Sequence, residues 1–252
     1  MEPTNSDKRK FTKTYFLTPG DCNGEQELPV WEIAEKIIDV ATMHANSWGV
    51  GYARLIVDNH AWVLSRVAIE MFRYPKVNEE YSMTTWIEDY NRHFSERNVE
   101  ITDSSGEVIG YARTVWVVIN LSTRESQDIS ALSYIRENTL DKPCPIEKAV
   151  RFKRIEHTRE NRYTFQYADI DFNRHANSVR TICLLMNQWP IEHYDRYRVR
   201  RFEIAYMKEG LAGSEVTVGI DDSTSDCRLE ILHGNDCLCR ARILFEEREN
   251  AE

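Results

Sequence analysis

The stretch V-W-E-I-A-E-K-I-I-D-V-A-T-M-H-A-N-S-W, Val30–Trp48, decides how this sequence folds. Its apolar residues recur three and four positions apart, at Ile33, Ile37, Val40 and Ala41, and so form one stripe along a helix of about five turns. A helix with a single apolar stripe has to bury that stripe against another element. The surrounding sequence supplies strands for this purpose.

Most of the remaining chain is rich in β-branched and aromatic residues, which favour strands. In the first half we predict strands at Lys13–Thr18, Ala61–Phe72, Glu80–Trp86, Ser95–Asp103 and Val108–Ile119. In the second half we predict strands at Arg162–Ala168, Arg198–Met207, Glu215–Ile220, Arg228–His233 and Cys237–Phe245. A second amphipathic helix is predicted at Asn177–Trp189, before Pro190. Each half therefore runs strand, helix and then a group of strands.

Individual residues repeat in the same order as the elements. Thr14-Tyr15 precedes Thr164-Phe165 by 150 positions, and Arg66 precedes Arg201 by 135. Such a series of matches indicates two copies of one unit. A long helix wrapped by an antiparallel sheet is the hotdog arrangement, so we predict an α+β fold of the double hotdog type. Its parts are a disordered N-terminal tail (1–10), an N-terminal unit (11–121), a linker (122–161) with a short helix near Ala131–Glu137, and a C-terminal unit (162–247).

Composition narrows the function. The formal net charge is −9, whereas a general nucleic-acid binder needs basic surface against phosphate. No segment reaches the roughly 18–20 apolar residues of a membrane helix, so no membrane partner is expected. The polar start lacks the apolar stretch of an export signal, which predicts a cytoplasmic protein with reduced cysteines.

The stretch D-I-D-F-N-R-H-A-N, residues 169–177, concentrates short polar side chains before the second helix. Asp171 and Asn173 could simply shape a turn, since Asp and Asn side chains bond nearby backbone amides. The first copy has Asp21-Cys22-Asn23-Gly24-Glu25 at the matching place, so only the second copy carries a histidine. His175 would stand beside the free amides of a helix start, which stabilise the oxyanion of a thioester under attack.

A second ionisable group is expected where the strand Arg198–Met207 ends. Glu209 follows this strand, and its counterpart in the repeat is Tyr74. A carboxylate that is partly shielded from water can act as a general base. The alternative interpretation is a surface carboxylate that pairs with Lys208 or is solvated.

The two motifs together resemble a known family. D-I-D-F-N-R-H-A-N resembles the D-x-D-x-N-x-H-x-N stretch of the acyl-acyl-carrier-protein thioesterases of plant plastids and bacteria, and Tyr206–Gly210 resembles their Y-R-R-E-C motif. Trp62–Arg66 is similar to their W-V-x-x-R strand. The resemblance covers the chain from about Phe11 to Glu247, and it too implies two hotdog units.

The resemblance implies hydrolysis of fatty acyl-carrier-protein to free fatty acid, with an active site of four residues. Glu209 would activate water, alone or with His175, while Asn173 and His175 would bind the thioester and Asp171 would orient them. Plant members carry a cysteine after the glutamate, but this chain has Gly210, so direct attack by water is expected.

No metal or organic cofactor is expected, because water and side chains suffice for this reaction. Acyl carrier protein is the expected partner, and the acyl chain should enter an apolar pocket mainly in the first unit. A zinc site at Cys227, His233, Cys237 and Cys239 is disfavoured, because small buried thiols explain these residues. The basic run from Arg196 to Arg201 is either a solvated strand face or an attraction for an acidic carrier.

Three rival functions stay open: an acyl-coenzyme A thioesterase, an enoyl-thioester hydratase and a non-catalytic acyl-binding protein. Two fused units already imitate a hotdog dimer, so the sequence allows a monomer as well as a homodimer.

Overall fold

The computed structural model describes residues 7–130 and 132–248. Its ten strands are β1 (Lys10–Phe16), β2 (His60–Met71), β3 (Glu80–Tyr90), β4 (Ser95–Asp103), β5 (Val108–Asn120), β6 (Arg159–Thr164), β7 (Tyr197–Tyr206), β8 (Glu215–Asp221), β9 (Asp226–His233) and β10 (Asp236–Glu247). Its α-helices are α1 (Val30–Ser47), α2 (Tyr52–Leu55), α3 (Ser133–Asn138), α4 (Ser178–Met186) and α5 (Ile191–Arg196). Each predicted strand is present, with its ends shifted by a few residues. Of the predicted tail, residues 1–6 lie outside the described part, as does Ala131 of the predicted short helix, whereas Lys10 already belongs to β1.

The strands form one antiparallel sheet in the order β1-β3-β4-β5-β2-β7-β10-β9-β8-β6. The second five strands repeat the first five in mirrored order, with β2 and β7 side by side in the middle. Helices α1 and α4 contact each other on one face of the sheet, and the buried residues of both halves form one continuous core. The predicted double hotdog is confirmed.

The pairing of β2 with β7 reveals the symmetry of the repeat. Arg66 lies opposite Ala205, and Glu70 lies opposite Arg201. Arg66 and Arg201 are 135 residues apart, and so are Glu70 and Ala205. Each residue of the first pair therefore has its counterpart in the second pair. Ala68 and Glu203, which lie opposite each other at the centre, are also 135 residues apart. The 135-residue offset predicted for these strands is therefore the offset of a pseudo-twofold axis between them.

The predicted offset of 150 residues before the helices is wrong by two. Leu17 donates its amide to Glu79 O (2.9 Å), and the equivalent bond runs from Phe165 to Ser214 O (3.2 Å). Phe165 is thus the counterpart of Leu17 rather than of Tyr15. A slip of two residues keeps every strand side chain on the same face, so alternation alone could not reveal it. It follows that Glu27, not Glu25, occupies in the first unit the place of His175.

The two central helices differ in length, contrary to the prediction of one long helix in each unit. Helix α1 has 18 residues, whereas α4 has 9. Asn187 caps the C-terminal end of α4, and Pro190 then starts α5 after a break. Because proline disfavours helical backbone in the residue before it, the second helix could not continue straight through this position.

Residues 142–150, in the segment between β5 and β6, cross the sheet face that is turned away from the helices. Arg113 of β5 donates to the backbone oxygens of Ile146 and Cys144, each at 2.8 Å. Further along, Val150 donates its amide to the fully buried carboxylate of Glu203 at 2.6 Å. These bonds hold the long connection on the charged outer face, so both faces of the central sheet are covered.

Candidate active site

A tight loop before α4 carries three of the predicted site residues. Asp171 donates its amide to His175 O (2.8 Å), while its carboxylate accepts the backbone amides of Asn173 (2.8 Å) and His175 (3.1 Å). Arg174 completes the turn with φ of 66°, in the left-handed region. Asp171 therefore positions Asn173 and His175 through their backbone amides.

The loop that follows β7 brings Glu209 close to His175. Ala176 donates its amide to Gly210 O at 2.8 Å, and His175 forms a β-bridge with Leu211. This pairing leaves His175 Nε2 and Glu209 Oε2 3.3 Å apart, although the two residues are 34 positions apart in the chain. The structure thus brings together the two ionisable groups that the sequence analysis singled out.

Gly210 is required at its position by close packing. A Cβ atom there would lie 2.7 Å from the ring of Phe165 and 3.1 Å from the Cβ of Ala176. Real Cβ atoms essentially never come within 2.7 Å of another carbon, so a cysteine here would require the Phe165 ring or the loop to shift. This explains in physical terms why the residue after Glu209 has no side chain.

Arg124, which the sequence analysis missed, is the third charged group of the site. It follows β5 of the first unit in a turn with φ of 62°, and its guanidinium pairs with Glu209 Oε1. The contact spans 85 positions and joins the two units, so no local motif could have revealed it. A left-handed non-glycine residue is uncommon, and here the conformation aims the side chain at the site.

The surroundings of His175 favour a neutral imidazole. Burial lowers the pKa of His175, and the nearby positive charge of Arg124 lowers it further, while Asp171 opposes the shift. The His175 side chain is 24% exposed and that of Glu209 is 41% exposed, so both groups can be reached by water. A neutral imidazole can accept a proton and later return it.

Two of the first amides of α4 are already bonded and are not free for an oxyanion. Asn177 caps this helix, and its Oδ1 accepts the amides of Val179 (2.7 Å) and Arg180 (3.3 Å). The side chain of Asn173 is different, because this residue is exposed and its side chain has no hydrogen bond within residues 7–130 and 132–248. Asn173 can therefore bind a ligand, whereas Asn177 serves the helix.

Both units contribute apolar residues around the site. Phe172 is 76% exposed, and its ring meets that of Tyr52 edge-on, with centroids 5.5 Å apart. Leu211 is 54% exposed beside His175. Tyr52 belongs to α2 of the first unit, so apolar side chains of both units lie beside the site loop.

The equivalent place in the first unit is a cavity of about 310 Å³ with different chemistry. Glu27 stands where His175 stands in the second unit, and it is held by Arg248 through two hydrogen bonds of 3.0 and 2.9 Å. Tyr74 takes the place of Glu209 and donates its hydroxyl to Val199 O at 2.7 Å. No histidine lines this cavity among the described residues, so the pair of imidazole and carboxylate found at the candidate site is missing here.

The possible zinc site and the basic run were the weaker functional candidates in the sequence. In the described ranges, no three His, Cys, Asp or Glu residues are grouped so that they could hold a metal ion. Within the basic run, Arg198 pairs with Glu246, Arg200 with Glu70, and Arg201 with Glu203. Three of its four arginines are therefore neutralised within the sheet. None of the helices described in residues 7–130 and 132–248 has the length and apolar character needed to cross a membrane.

Comparison with known protein families finds two matches that together span most of the chain. Residues 8–132 match the model described as acyl-ACP thioesterase N-terminal domain. Residues 152–247 match the model described as acyl-ACP thioesterase C-terminal domain. The segment between the matches is the connection that crosses the outer sheet face.

Individual relatives agree with these matches. A crystal structure of an acyl-ACP thioesterase from Bacteroides thetaiotaomicron is 36% identical, with a TM-score of 0.86 over 94% of this chain and 98% of that one. The 12:0-ACP thioesterase of Umbellularia californica shares the fold, with a TM-score of 0.84 over 95% of this chain and 98% of that one at 17% identity. Oleoyl-acyl carrier protein thioesterase 1 of Arabidopsis thaliana, a chloroplastic protein, is 26% identical over 81% of this chain, which spans 61% of that protein. The chain spans 54% of an acyl-[acyl-carrier-protein] hydrolase of Cuphea viscosissima.

Proposed function

This chain belongs to the acyl-ACP thioesterase family, and from that premise we propose that it hydrolyses the thioester between a fatty acyl chain and acyl carrier protein. The observation that carries the proposal is the approach of His175 to Glu209 at 3.3 Å, beside Arg124 of the other unit. A base, a neutral imidazole and an exposed amide side chain in one water-accessible place suit attack by water on a carbonyl carbon.

In the proposed first step, Glu209 removes a proton from a water molecule as the water oxygen bonds to the thioester carbon. Arg124 holds the other carboxylate oxygen, which leaves Oε2 directed at His175. The carbonyl oxygen becomes an oxyanion, and Asn173 supplies an amide donor to it. Because Asn177 already accepts the amides of Val179 and Arg180, a side-chain donor is the better candidate here.

In the second step the carbon–sulfur bond breaks and the sulfur needs a proton. We propose that the proton passes from Glu209 to the Nε2 of His175 and from there to the leaving thiolate. The products are a carboxylic acid and the thiol of the carrier, and both side chains return to their starting states. The lowered pKa of His175 suits this relay, because the imidazole gives up its proton readily.

We place the acyl chain in a cavity of the first unit, of about 50 Å³, between the C-terminal end of α1 and the sheet. Three tryptophans, Trp48, Trp62 and Trp116, are among the apolar residues that line it. Val50 also lines it and stands two residues before Tyr52, which touches Phe172 of the site loop. A chain entering between the units would therefore pass from the site into this cavity.

The test is hydrolysis of acyl-carrier-protein thioesters by the wild type and by Glu209→Gln and His175→Gln. We expect kcat/KM to fall by about 100-fold or more in each variant, as is typical for loss of a general base or acid. Thioester cleavage that survives in both variants would refute the site. Melting temperatures of all three proteins show whether the losses are chemical.

Matched substrates separate the remaining functions. The same acyl chain on carrier protein and on coenzyme A measures which carrier is preferred, and an enoyl thioester reports hydration instead of cleavage. Binding of an acyl chain without turnover of any thioester would favour a non-catalytic protein. The cytoplasmic location and the choice between monomer and homodimer stay predictions.

A further inference from the structure

A small cleft in the second unit is lined by basic and apolar side chains. It lies between β9, β10 and residues 150–155 of the long connection, which form the strap, and its volume is about 20 Å³. Both sides of the cleft supply basic residues, namely Arg151, Lys153, Arg228, Arg240 and Arg242. Among the described residues that line it, none is acidic. In a chain with a net charge of −9, such a cleft concentrates positive charge at one place.

Two of the five positive charges are balanced by acidic side chains of the sheet. Arg240 donates to Glu230 at 2.8 Å. Arg242 donates to Asp226 at 2.7 Å and to Glu203 at 3.0 Å. The same bonds fix the two guanidinium groups on the outer face of the sheet, beneath the strap.

The other three charges have no counter-charge in contact with them. Arg151, Lys153 and Arg228 are exposed, and within residues 7–130 and 132–248 their side chains form no ion pair and no hydrogen bond. Two of these charges belong to the strap and one belongs to β9. Three unbalanced positive charges from two separate segments therefore border the same space.

The strand register adds an independent sign of excess positive charge. Arg228 of β9 lies directly opposite Arg242 of β10, where Cβ atoms are about 4.5–5.5 Å apart and like charges are unfavourable. On its other side Arg228 lies opposite Asp221 of β8. The Asp221 carboxylate accepts the Ser223 hydroxyl at 2.8 Å and forms no ion pair with Arg228 in the described part of the chain. An anion beside Arg228 would relieve the repulsion between the two arginines.

The arrangement suits a phosphate group better than a carboxylate. A carboxylate has two oxygens and one charge, so a single guanidinium already satisfies it. A phosphate monoester carries close to two negative charges at pH 7 and has three strong acceptor oxygens, which can contact several cations at once. The cleft has room for such oxygens, and its exposed edge leaves the rest of a ligand in solvent.

We propose that this cleft binds a phosphate group, as inorganic phosphate or as a small phosphate monoester, through Arg151, Lys153 and Arg228. The bound phosphate would join the strap to β9 and β10 and so hold the connection between the two units in place. The cleft shares no residue with the candidate active site, so the inference goes beyond the proposed hydrolysis and does not depend on it.

Calorimetry at pH 8 and constant ionic strength tests the class of ligand. The probes are inorganic phosphate, glycerol 3-phosphate and acetate, with chloride as the balancing anion. We expect at least one of the two phosphates to bind the wild type about 10-fold more tightly than acetate does, and the tighter of the two identifies the source of the group. Acetate that binds as tightly as both phosphates, or no binding of either phosphate, would overturn the inference.

Charge-removing variants test the location. Arg228→Gln should weaken phosphate binding by about 10-fold, the effect of one lost charge-assisted contact, and Lys153→Gln should weaken it in the same direction. Arg154→Gln is the matched control, because it removes the same charge from the strap at a residue that does not line the cleft. We expect its affinity to stay within about twofold of the wild type. Equal weakening in Arg228→Gln and Arg154→Gln would show that overall charge attracts the anion, and no site would remain.

Melting temperatures distinguish a lost site from a damaged fold. Without phosphate, Arg228→Gln should melt at the wild-type temperature or above it, because the substitution removes a like-charge pair. Added phosphate should raise the melting temperature of the wild type, since a ligand stabilises the state that binds it, and should raise that of Arg228→Gln much less. An equal rise in both proteins would mean that phosphate acts only as a stabilising salt, which contradicts the inference.

Discussion

At the scale of single residues, the charge of Arg124 governs the candidate site. It contacts Glu209 directly and lowers the pKa of His175 through space. Both members of the ion pair are more than a third exposed, so the pair itself adds at most about 1 kcal/mol to stability. Its main effect should be on protonation and on the direction of the carboxylate.

We therefore expect Arg124→Gln to change the pH dependence of activity more than the stability. Removing the positive charge raises the pKa of His175, so the neutral imidazole is present only above a higher pH. The acid limb of the kcat/KM profile should move to higher pH, while the free energy of unfolding changes by less than about 1 kcal/mol. The measurement is kcat/KM over a pH series, together with denaturation in urea.

Lys208→Gln is the matched control for this shift. Lys208 precedes Glu209 in the chain, but it pairs with Asp236 and does not affect the pKa of His175. The variant removes the same charge from the loop that carries Glu209, and its acid limb should stay where it is in the wild type. Equal shifts in both variants would mean that overall charge, and not Arg124, sets the protonation of His175.

The site residues could be predicted from the sequence only where the signal was local. Asp171, Asn173, His175 and Glu209 stand in two short motifs that the repeat made conspicuous, because the first copy lacks the histidine and the glutamate. Arg124 has no such motif, since its contact depends on how the two units pack. The role of Asp171 was also open, because sequence does not say whether a carboxylate reaches a side chain or a backbone amide.

At the scale of secondary-structure elements, the two asparagines that flank His175 have separate tasks. Asn177 holds the start of α4, whereas the exposed Asn173 side chain makes no bond to the protein among the described residues. We expect Asn177→Ala to lower the free energy of unfolding by about 1 kcal/mol, the usual cost of a lost helix cap. Asn173→Ala should leave stability unchanged and lower kcat.

Urea denaturation and steady-state kinetics on both variants test this division. For each variant, the loss of stability is compared with the loss of kcat. The comparison is fair because both substitutions delete the same amide group, four positions apart. If Asn173→Ala unfolds more easily while Asn177→Ala loses kcat without loss of stability, the assignments are reversed.

The elements themselves were predictable because their patterns are periodic. Ile33, Ile37 and Val40 of α1 and the alternating strands specify which face is buried, so type and order followed from the sequence. The exact ends of the elements, and which residues of the two copies correspond, did not follow from the sequence. The two-residue slip at Leu17 and Phe165 left every face unchanged, and the early end of α4 depends on its cap at Asn187.

At the scale of the whole molecule, the pseudo-twofold axis produces two equivalent places with different tasks. One has His175 and Glu209 with an arginine from the other unit, Arg124. The other has Glu27 and Tyr74, with Arg248 of the second unit bound to Glu27. The repeat places two equivalent sites in the molecule, and their different side chains suit the proposed chemistry at one site and a structural ion pair at the other.

The matched pair His175→Gln and Glu27→Gln tests this division, because the two residues are related by the pseudo-symmetry. Glu27 is only 9% exposed, and its loss leaves the Arg248 guanidinium without its carboxylate, so we expect unfolding free energy to fall by about 1–3 kcal/mol. The kcat/KM of Glu27→Gln should stay within about twofold of the wild type, since no proposed step uses Glu27. His175→Gln should do the opposite, with activity lost and stability changed by less than about 1 kcal/mol. A Glu27→Gln protein that is as stable as the wild type but has lost its activity would show that the first-unit cavity takes part in catalysis.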